Sequence, residues 1–199
     1  MSDTMYTPPD AELVGDAASD EGRHYVVGVR KFLLLSLATL NLYQVYWFWR
    51  NFRNLRDASG ESFWPVPRAI FSIFFTHGLF RDVDETLRSK GLRFAWSADP
   101  TAAAVISLNL VSGVGANLTG RLAEQAPVLD LVFMGIGLLV PFATLPAQRA
   151  INLANGDPEG ATNADLTAAN WLWLVFGLIF WATTVFGYFL ILTGAELDA

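Results

Sequence analysis

The side chains in this chain that could carry chemistry are few, and most sit in apolar surroundings. Two histidines, His24 and His77, lie far apart, and neither has a cysteine or acidic residue at metal-ligand spacing. No cysteine occurs, which excludes disulfides, thiolate nucleophiles and iron–sulfur ligation. The glycine-rich run "SGVGANLTG" (112–120) lacks the Lys-Ser/Thr ending of a phosphate cradle and follows an apolar helix rather than a strand. A serine nucleophile would need a base and oxyanion donors, and neither is apparent. No metal and no cofactor is expected. What remains is a set of polar groups inside apolar segments: Asn41, Gln44, His77, Asn109, Asn117 and Asp130. Polar groups at membrane depth are costly and often functional. Asn109, Asn117 and Asp130 read either as the lining of a small polar path or as interhelical hydrogen bonds. His77, in "FFTHGLF", reads either as a titrating group or as a satisfied packing residue.

The elements that position these residues are helices. The chain has 199 residues, of which 53% are hydrophobic and only 16% charged, too few charges for a soluble body. The apolar residues lie in long runs, which excludes the short alternating segments of a membrane barrel. Three runs predict membrane spans: 101–118, 127–147 with Pro141 and Pro146 bending its end, and the uncharged 171–193. The "GVG" and "GIG" triplets allow close helix packing. A polar connector, 151–170, separates the last two spans. No positive region precedes an early apolar run, so no cleavable leader is expected.

The amino-terminal half is less simple. "RKFLLLSLATLNLYQVYWFWRNFRNLR" (30–56) contains eighteen uncharged residues between Lys31 and Arg50, enough to cross a bilayer. Eleven of the thirteen basic residues lie between Arg23 and Arg93. If 32–49 and 69–80 both turn back, twelve basic residues stay on one side and one, Arg121, lies on the other, as the positive-inside rule requires. "NLYQ" (41–44) is then the turning point, with side chains able to satisfy an unwound turn. The alternative is a continuous helix with Asn41 facing a neighbour. Beyond the turn, Val45, Phe48, Trp49, Phe52 and Leu55 predict the apolar face of an interfacial helix. Tyr46, Trp47 and Trp49 are then expected at headgroup depth, with Arg50, Arg53, Arg56 and Arg68 on lipid headgroups. Residues 67–91 read as one partly inserted helix ended by Gly91. Its uncharged core, Ala69–Phe80, is about 18 Å long and too short to span.

The expected organisation is an acidic flexible tail (1–24) and one all-α membrane domain (25–199). That domain divides into re-entrant or interfacial helices over 25–97 and three transmembrane helices over 101–193. In the tail, Tyr6, Pro8, Pro9 and Leu13 of "YTPPDAEL" read either as a docking peptide or as a solvated stretch whose prolines stop a helix.

"FLLLSLATLNLYQVYWFWRNF", "FWPVPRAIFSIFFTHGLFRDVD" and "LPAQRAINLANGD" ahead of "LTAANWLWLVFG" resemble a group of small uncharacterised bacterial inner-membrane proteins over about residues 28–193. Members of that group often carry glycine where this chain has Asn41. The tail resembles a tyrosine–proline–proline element at the start of several other bacterial membrane proteins. The resemblance implies an inner-membrane location and no activity. The charge count puts the amino terminus in the cytoplasm and the carboxyl terminus in the periplasm. The expected partners are the phospholipid bilayer with its anionic headgroups, and a membrane-protein partner or second copy; nucleic acid is excluded. Two functions follow: a non-enzymatic scaffold or accessory protein, or a subunit of a small transporter or channel using the intramembrane polar residues. An enzyme acting on lipids has no constellation to support it.

Overall fold

The computed structural model describes residues 22–119 and 127–193. Tyr6, Pro8, Pro9, Leu13 and Arg121 lie outside the described residues, as does the acidic end of the chain. The fold is all-α. Its helices are α1 (Val29–Ala38), α2 (Leu42–Ser59), α3 (Pro65–Ile70), α4 (Thr76–Ser89), α5 (Ala98–Thr119), α6 (Pro127–Gly137), α7 (Val140–Ala154) and α8 (Ala168–Thr193).

Three stretches are long and apolar enough to cross a bilayer: Ala98–Thr119, Pro127–Ala154 and Ala168–Thr193. In α8 only Gly177 is buried, and Leu172, Leu178 and Val185 are among many apolar side chains left bare. So much uncovered apolar surface is stable only in lipid. The chain is a polytopic helical membrane protein.

The buried core lies elsewhere, around Phe32, Trp47, Phe52 and Phe80, each no more than 1% exposed. Trp47 meets Phe32 edge-on at 5.9 Å and Phe48 at 4.9 Å between ring centroids. On α2 the buried face is Tyr43, Gln44, Trp47, Phe48, Asn51 and Phe52, spaced by threes and fours. This differs from the face expected from the sequence. Val45 is exposed, and Trp47, expected among headgroups, is fully buried because its indole nitrogen bonds to Gln148 on α7.

The first apolar stretch folds back on itself instead of forming one continuous helix. α1 is ten residues, about 15 Å. Its end is tied to α8 where Trp181 Nε1 donates to the Leu37 carbonyl at 3.0 Å. Trp181 is at the middle of a 26-residue helix. The chain then returns: Asn51, on α2, accepts a hydrogen bond from the Tyr25 amide at 3.0 Å, so residues 25 and 51 share one level. Residues 67–91 do not form one helix. A 3-10 turn, Ser72–Phe74, breaks them, and α3 and α4 form a second excursion. Ile70, Phe71 and Phe74 at its tip are exposed. α4 ends in a Schellman motif, with Leu92 N on Leu87 O at 2.9 Å and Gly91 at φ +66.

The packed body starts before residue 25. Arg23 Nη2 and His24 Nε2 donate to Asp82 on α4 at 2.6 and 2.8 Å, and His24 is 1% exposed.

Candidate functional site

The site is built from three helix breaks around one cavity. The first ends α1. Asn41 N bonds to Ser36 O at 2.8 Å and Leu40 N to Leu37 O at 3.3 Å, a Schellman pattern with Leu40 in the glycine place. Leu40 has φ +47 and Asn41 φ +68. Asparagine tolerates that left-handed conformation, whereas for leucine it is strained. Thr39 splices the hinge: its hydroxyl donates to Leu35 O at 2.7 Å and accepts from Tyr43 N at 3.0 Å.

The second break separates α6 from α7. Pro141 has no N–H, so the Gly137 carbonyl loses its partner in an unbroken helix. Asn41 Nδ2 supplies it, donating to Gly137 O at 2.6 Å. One side chain thereby caps the other broken helix. The third break is the 3-10 turn at Ser72–Phe74, where the Thr76 hydroxyl takes the Ser72 carbonyl at 2.8 Å.

α8 holds the hinge from outside. Gly177 lies so close to the Ala38 carbonyl that a β-carbon there would overlap it. Glycine is therefore required for the approach, rather than for backbone conformation.

Between the breaks and the middle of α5 lies a cavity of about 350 Å³. Its polar lining is Asn41, Gln44, Ser72 and Asn109; Phe48, Ile73 and Val140 contribute apolar wall. Two buried oxygens here, Asn41 Oδ1 and Gln44 Oε1, have no hydrogen-bond partner. Buried polar atoms are almost always paired, so two bare acceptors in one cavity are unusual. The arrangement can accept hydrogen bonds from a small donor-bearing guest. No known family model, curated protein or solved structure matches the chain. The site therefore rests on its own geometry.

The structure brings together Asn41, Gln44 and Asn109 of the six intramembrane polar residues, and separates the others. Asn109 Nδ2 bonds back to Val105 O at 2.8 Å, and Asn117 Nδ2 to Gly113 O at 2.9 Å. Asp130 lies at the opposite end of α5. It accepts from the Thr119 hydroxyl at 2.7 Å and from the Tyr188 hydroxyl, joining α5, α6 and α8. Asn109 and Asn117 thus bond within their own helix, and the acid makes interhelical bonds. His77 is half-buried on α4 and does not line the cavity. Among the described residues, no three of His, Asp and Glu gather as a metal site.

The residues expected on headgroups divide. Arg53 and Arg56 share Asp57, with contacts of 3.8 and 2.7 Å. Arg68 lies over Phe63 at 3.7 Å. Arg50 lies over Tyr25 at 5.2 Å and Trp49 at 6.0 Å. Tyr46 is 38% exposed.

Sequence reasoning missed how the amino-terminal segment is strapped down. Residues 25–28 run extended, and amide side chains bond their backbone. Gln148 Nε2 donates to Tyr25 O at 3.3 Å, Asn163 Nδ2 to Val26 O at 2.9 Å, and Asn152 Nδ2 to Val27 O at 3.0 Å. Gly160, at φ +66, sits against the Val27 carbonyl, where a β-carbon would come within 2.6 Å. The visible signal was Gln148 and Asn152, two amides four apart that continue the buried face of Thr144.

Proposed function

We propose that the chain is a subunit of a small transporter or channel in a bacterial inner membrane. On this reading, the cavity beside Asn41 and Gln44 passes a small polar solute that donates hydrogen bonds. The observation that carries the reading is the pair of unpartnered amide oxygens where three helices are broken. Irregular backbone at membrane depth is tolerated where it is buried in protein or lines a polar cavity, and discontinuous helices meeting near the midplane form transporter sites. The volume lies within the range of small-molecule sites. The lining carries no charge, which suits a neutral donor or a small ammonium-type cation better than an anion. The distribution of basic residues supports a cytoplasmic amino-terminal half and a periplasmic carboxyl end.

The scaffold reading draws less support. That reading takes "YTPPDAEL", which lies outside the described residues, and the basic segments 50–68 and 81–93 as partner surfaces. Arg53, Arg56, Arg81 and Arg88 are instead engaged by Asp57, Asp99 and Asp84 of this same chain.

The test is flux in vesicles reconstituted with the full chain, using urea and methylammonium as donor-bearing probes and acetate as the control. Expected is uptake of a donor-bearing probe above empty vesicles, lost in Gln44→Leu. That variant removes an oxygen that has no partner, and its amide nitrogen reaches only Ser36 Oγ at 3.5 Å, so folding is expected to survive. No uptake of either probe, or uptake untouched by Gln44→Leu, refutes the proposal.

A further inference from the structure

A second cavity, of about 510 Å³, lies at the level of Tyr25 and Asn51, between α1, α2 and the start of α8. Its chemistry is one-sided. Lys31, Arg50, Tyr25, Tyr43 and Tyr46 line it, and among the described residues no carboxylate does.

Arg50 differs from its neighbours. Arg53 and Arg56 are balanced by Asp57. Arg50 makes no ion pair among the described residues, and its buried Nε has no hydrogen-bond partner. The Tyr43 hydroxyl, on a residue 4% exposed, also has none. Tyr25 is its nearest polar neighbour, at the long edge of hydrogen-bonding reach. Lys31 is 4% exposed and holds Asn163 Oδ1 and the Asp165 carbonyl, both at 2.7 Å. An ammonium has three donors, so one remains. A buried cation without a carboxylate is normally costly. Here two cations and a phenol line one cavity, where an anion would give each a stronger partner.

The position fits a bilayer surface. Tyr46 and Trp173, 38% and 44% exposed, line the cavity, and such aromatics sit at headgroup depth. Arginine binds phosphate with paired N–H groups, and lysine adds a point charge.

We propose that this cavity binds a phosphate-bearing group, with Arg50 and Lys31 holding its oxygens and the Tyr43 hydroxyl donating to it. Two sources share that chemistry: a phospholipid headgroup and free phosphate. This site is separate from the mid-membrane cavity and does not depend on transport.

The experiment uses the full chain in a neutral detergent and follows its thermal unfolding midpoint, since a ligand bound only by the folded state raises it. The probes are dihexanoyl phosphatidylglycerol, dihexanoylglycerol, which lacks phosphate, and inorganic phosphate. Expected is stabilisation by the phospholipid and none by dihexanoylglycerol. Arg50→Gln and Tyr43→Phe each weaken the phospholipid effect about tenfold, as loss of one bond to a charged group predicts, whereas Arg53→Gln does not. Stabilisation by inorganic phosphate at comparable concentration, with the same dependence on Arg50 and Tyr43, assigns the site to the free anion. Tyr43→Phe loses a single unpartnered oxygen and keeps the test valid if Arg50→Gln misfolds. No stabilisation by either phosphate-bearing probe, or equal effects in Tyr43→Phe and wild type, overturns the proposal.

Discussion

Asn41 is the residue whose replacement most directly tests how the broken helices are held. Its side chain caps Gly137, and its backbone is left-handed at φ +68. Asn41→Gly keeps the backbone comfortable but strands the Gly137 carbonyl, at a cost of about 1–3 kcal/mol for a buried acceptor. Asn41→Ala loses the same bond and adds about 1–2 kcal/mol for a left-handed residue with a β-carbon. The order of stability should be wild type, then glycine, then alanine. The cause of the Gly137 vacancy is Pro141, so Pro141→Ala restores an N–H that can reach that carbonyl along the helix. In that background Asn41→Gly should cost under about 1 kcal/mol, a coupling of about 1–2 kcal/mol across the cycle. Equilibrium unfolding in mixed detergent micelles, followed by far-ultraviolet circular dichroism, measures all four corners. An equal cost of Asn41→Gly with and without Pro141, or alanine no worse than glycine, would refute the reasoning.

Gly177→Val should displace α8 from the α1 hinge and destabilise by about 3 kcal/mol, because backbone rather than a movable side chain meets the new β-carbon. Gly187→Val, in the same helix but with nothing within 4 Å, is the matched control and should unfold like wild type. Asp82 predicts an acid transition. Burial alone would raise its carboxyl, but hydrogen bonds from His24 and Arg23, with their charges, bring it down to about 2. A depressed carboxyl stabilises the fold above about pH 4, and that stability is lost as pH falls toward 2. At its partly exposed position this amounts to about 1–2 kcal/mol. Protection of the residue 23–28 amides, relative to their intrinsic exchange rates, should therefore fall below pH 4, and Asp82→Asn should show low protection already at pH 7; a pH-independent protection would contradict the assignment.

The membrane-crossing helices were legible because lipid imposes a length and a composition that any reader can count. The turn at "NLYQ" was legible for a different reason: the arginines on both flanks of 32–49 made a full crossing expensive in topology. The break between α6 and α7 was half visible. Pro141 and Pro146 both read as bends, but the helix parts before Pro141 and continues through Pro146. The break at Ser72–Phe74 carries no glycine or proline, and local pattern had no means of showing it. The burial of Trp47 was hidden by its own type. An aromatic between arginines reads as an interfacial anchor, and only Gln148, a hundred residues away in sequence, makes it a core residue. The strap over 25–28 was invisible for the same reason: its partners on α7 and in the 151–170 connector are long-range.

The unpaired groups give the strongest reason to look for ligands. Broken helices at membrane depth expose backbone that costs several kcal/mol per group unless satisfied. This chain satisfies it repeatedly, with Asn41 on Gly137, Trp181 on Leu37, Thr39 on Leu35 and Tyr43, and Thr76 on Ser72. A fold that pairs its polar groups so thoroughly leaves few bare by accident. Among the described residues six buried side-chain atoms are left bare, and five of them belong to residues lining two cavities; the sixth, Trp96 Nε1, lies at neither. Asn41 Oδ1 and Gln44 Oε1 belong to the mid-membrane cavity and can only accept. Arg50 Nε, Tyr43 OH and His24 Nδ1 belong to the cavity at the basic end, and the first two can donate. Packing alone gives no reason to leave two acceptors bare beside one cavity and the Arg50 and Tyr43 donors bare beside the other. A guest in each does.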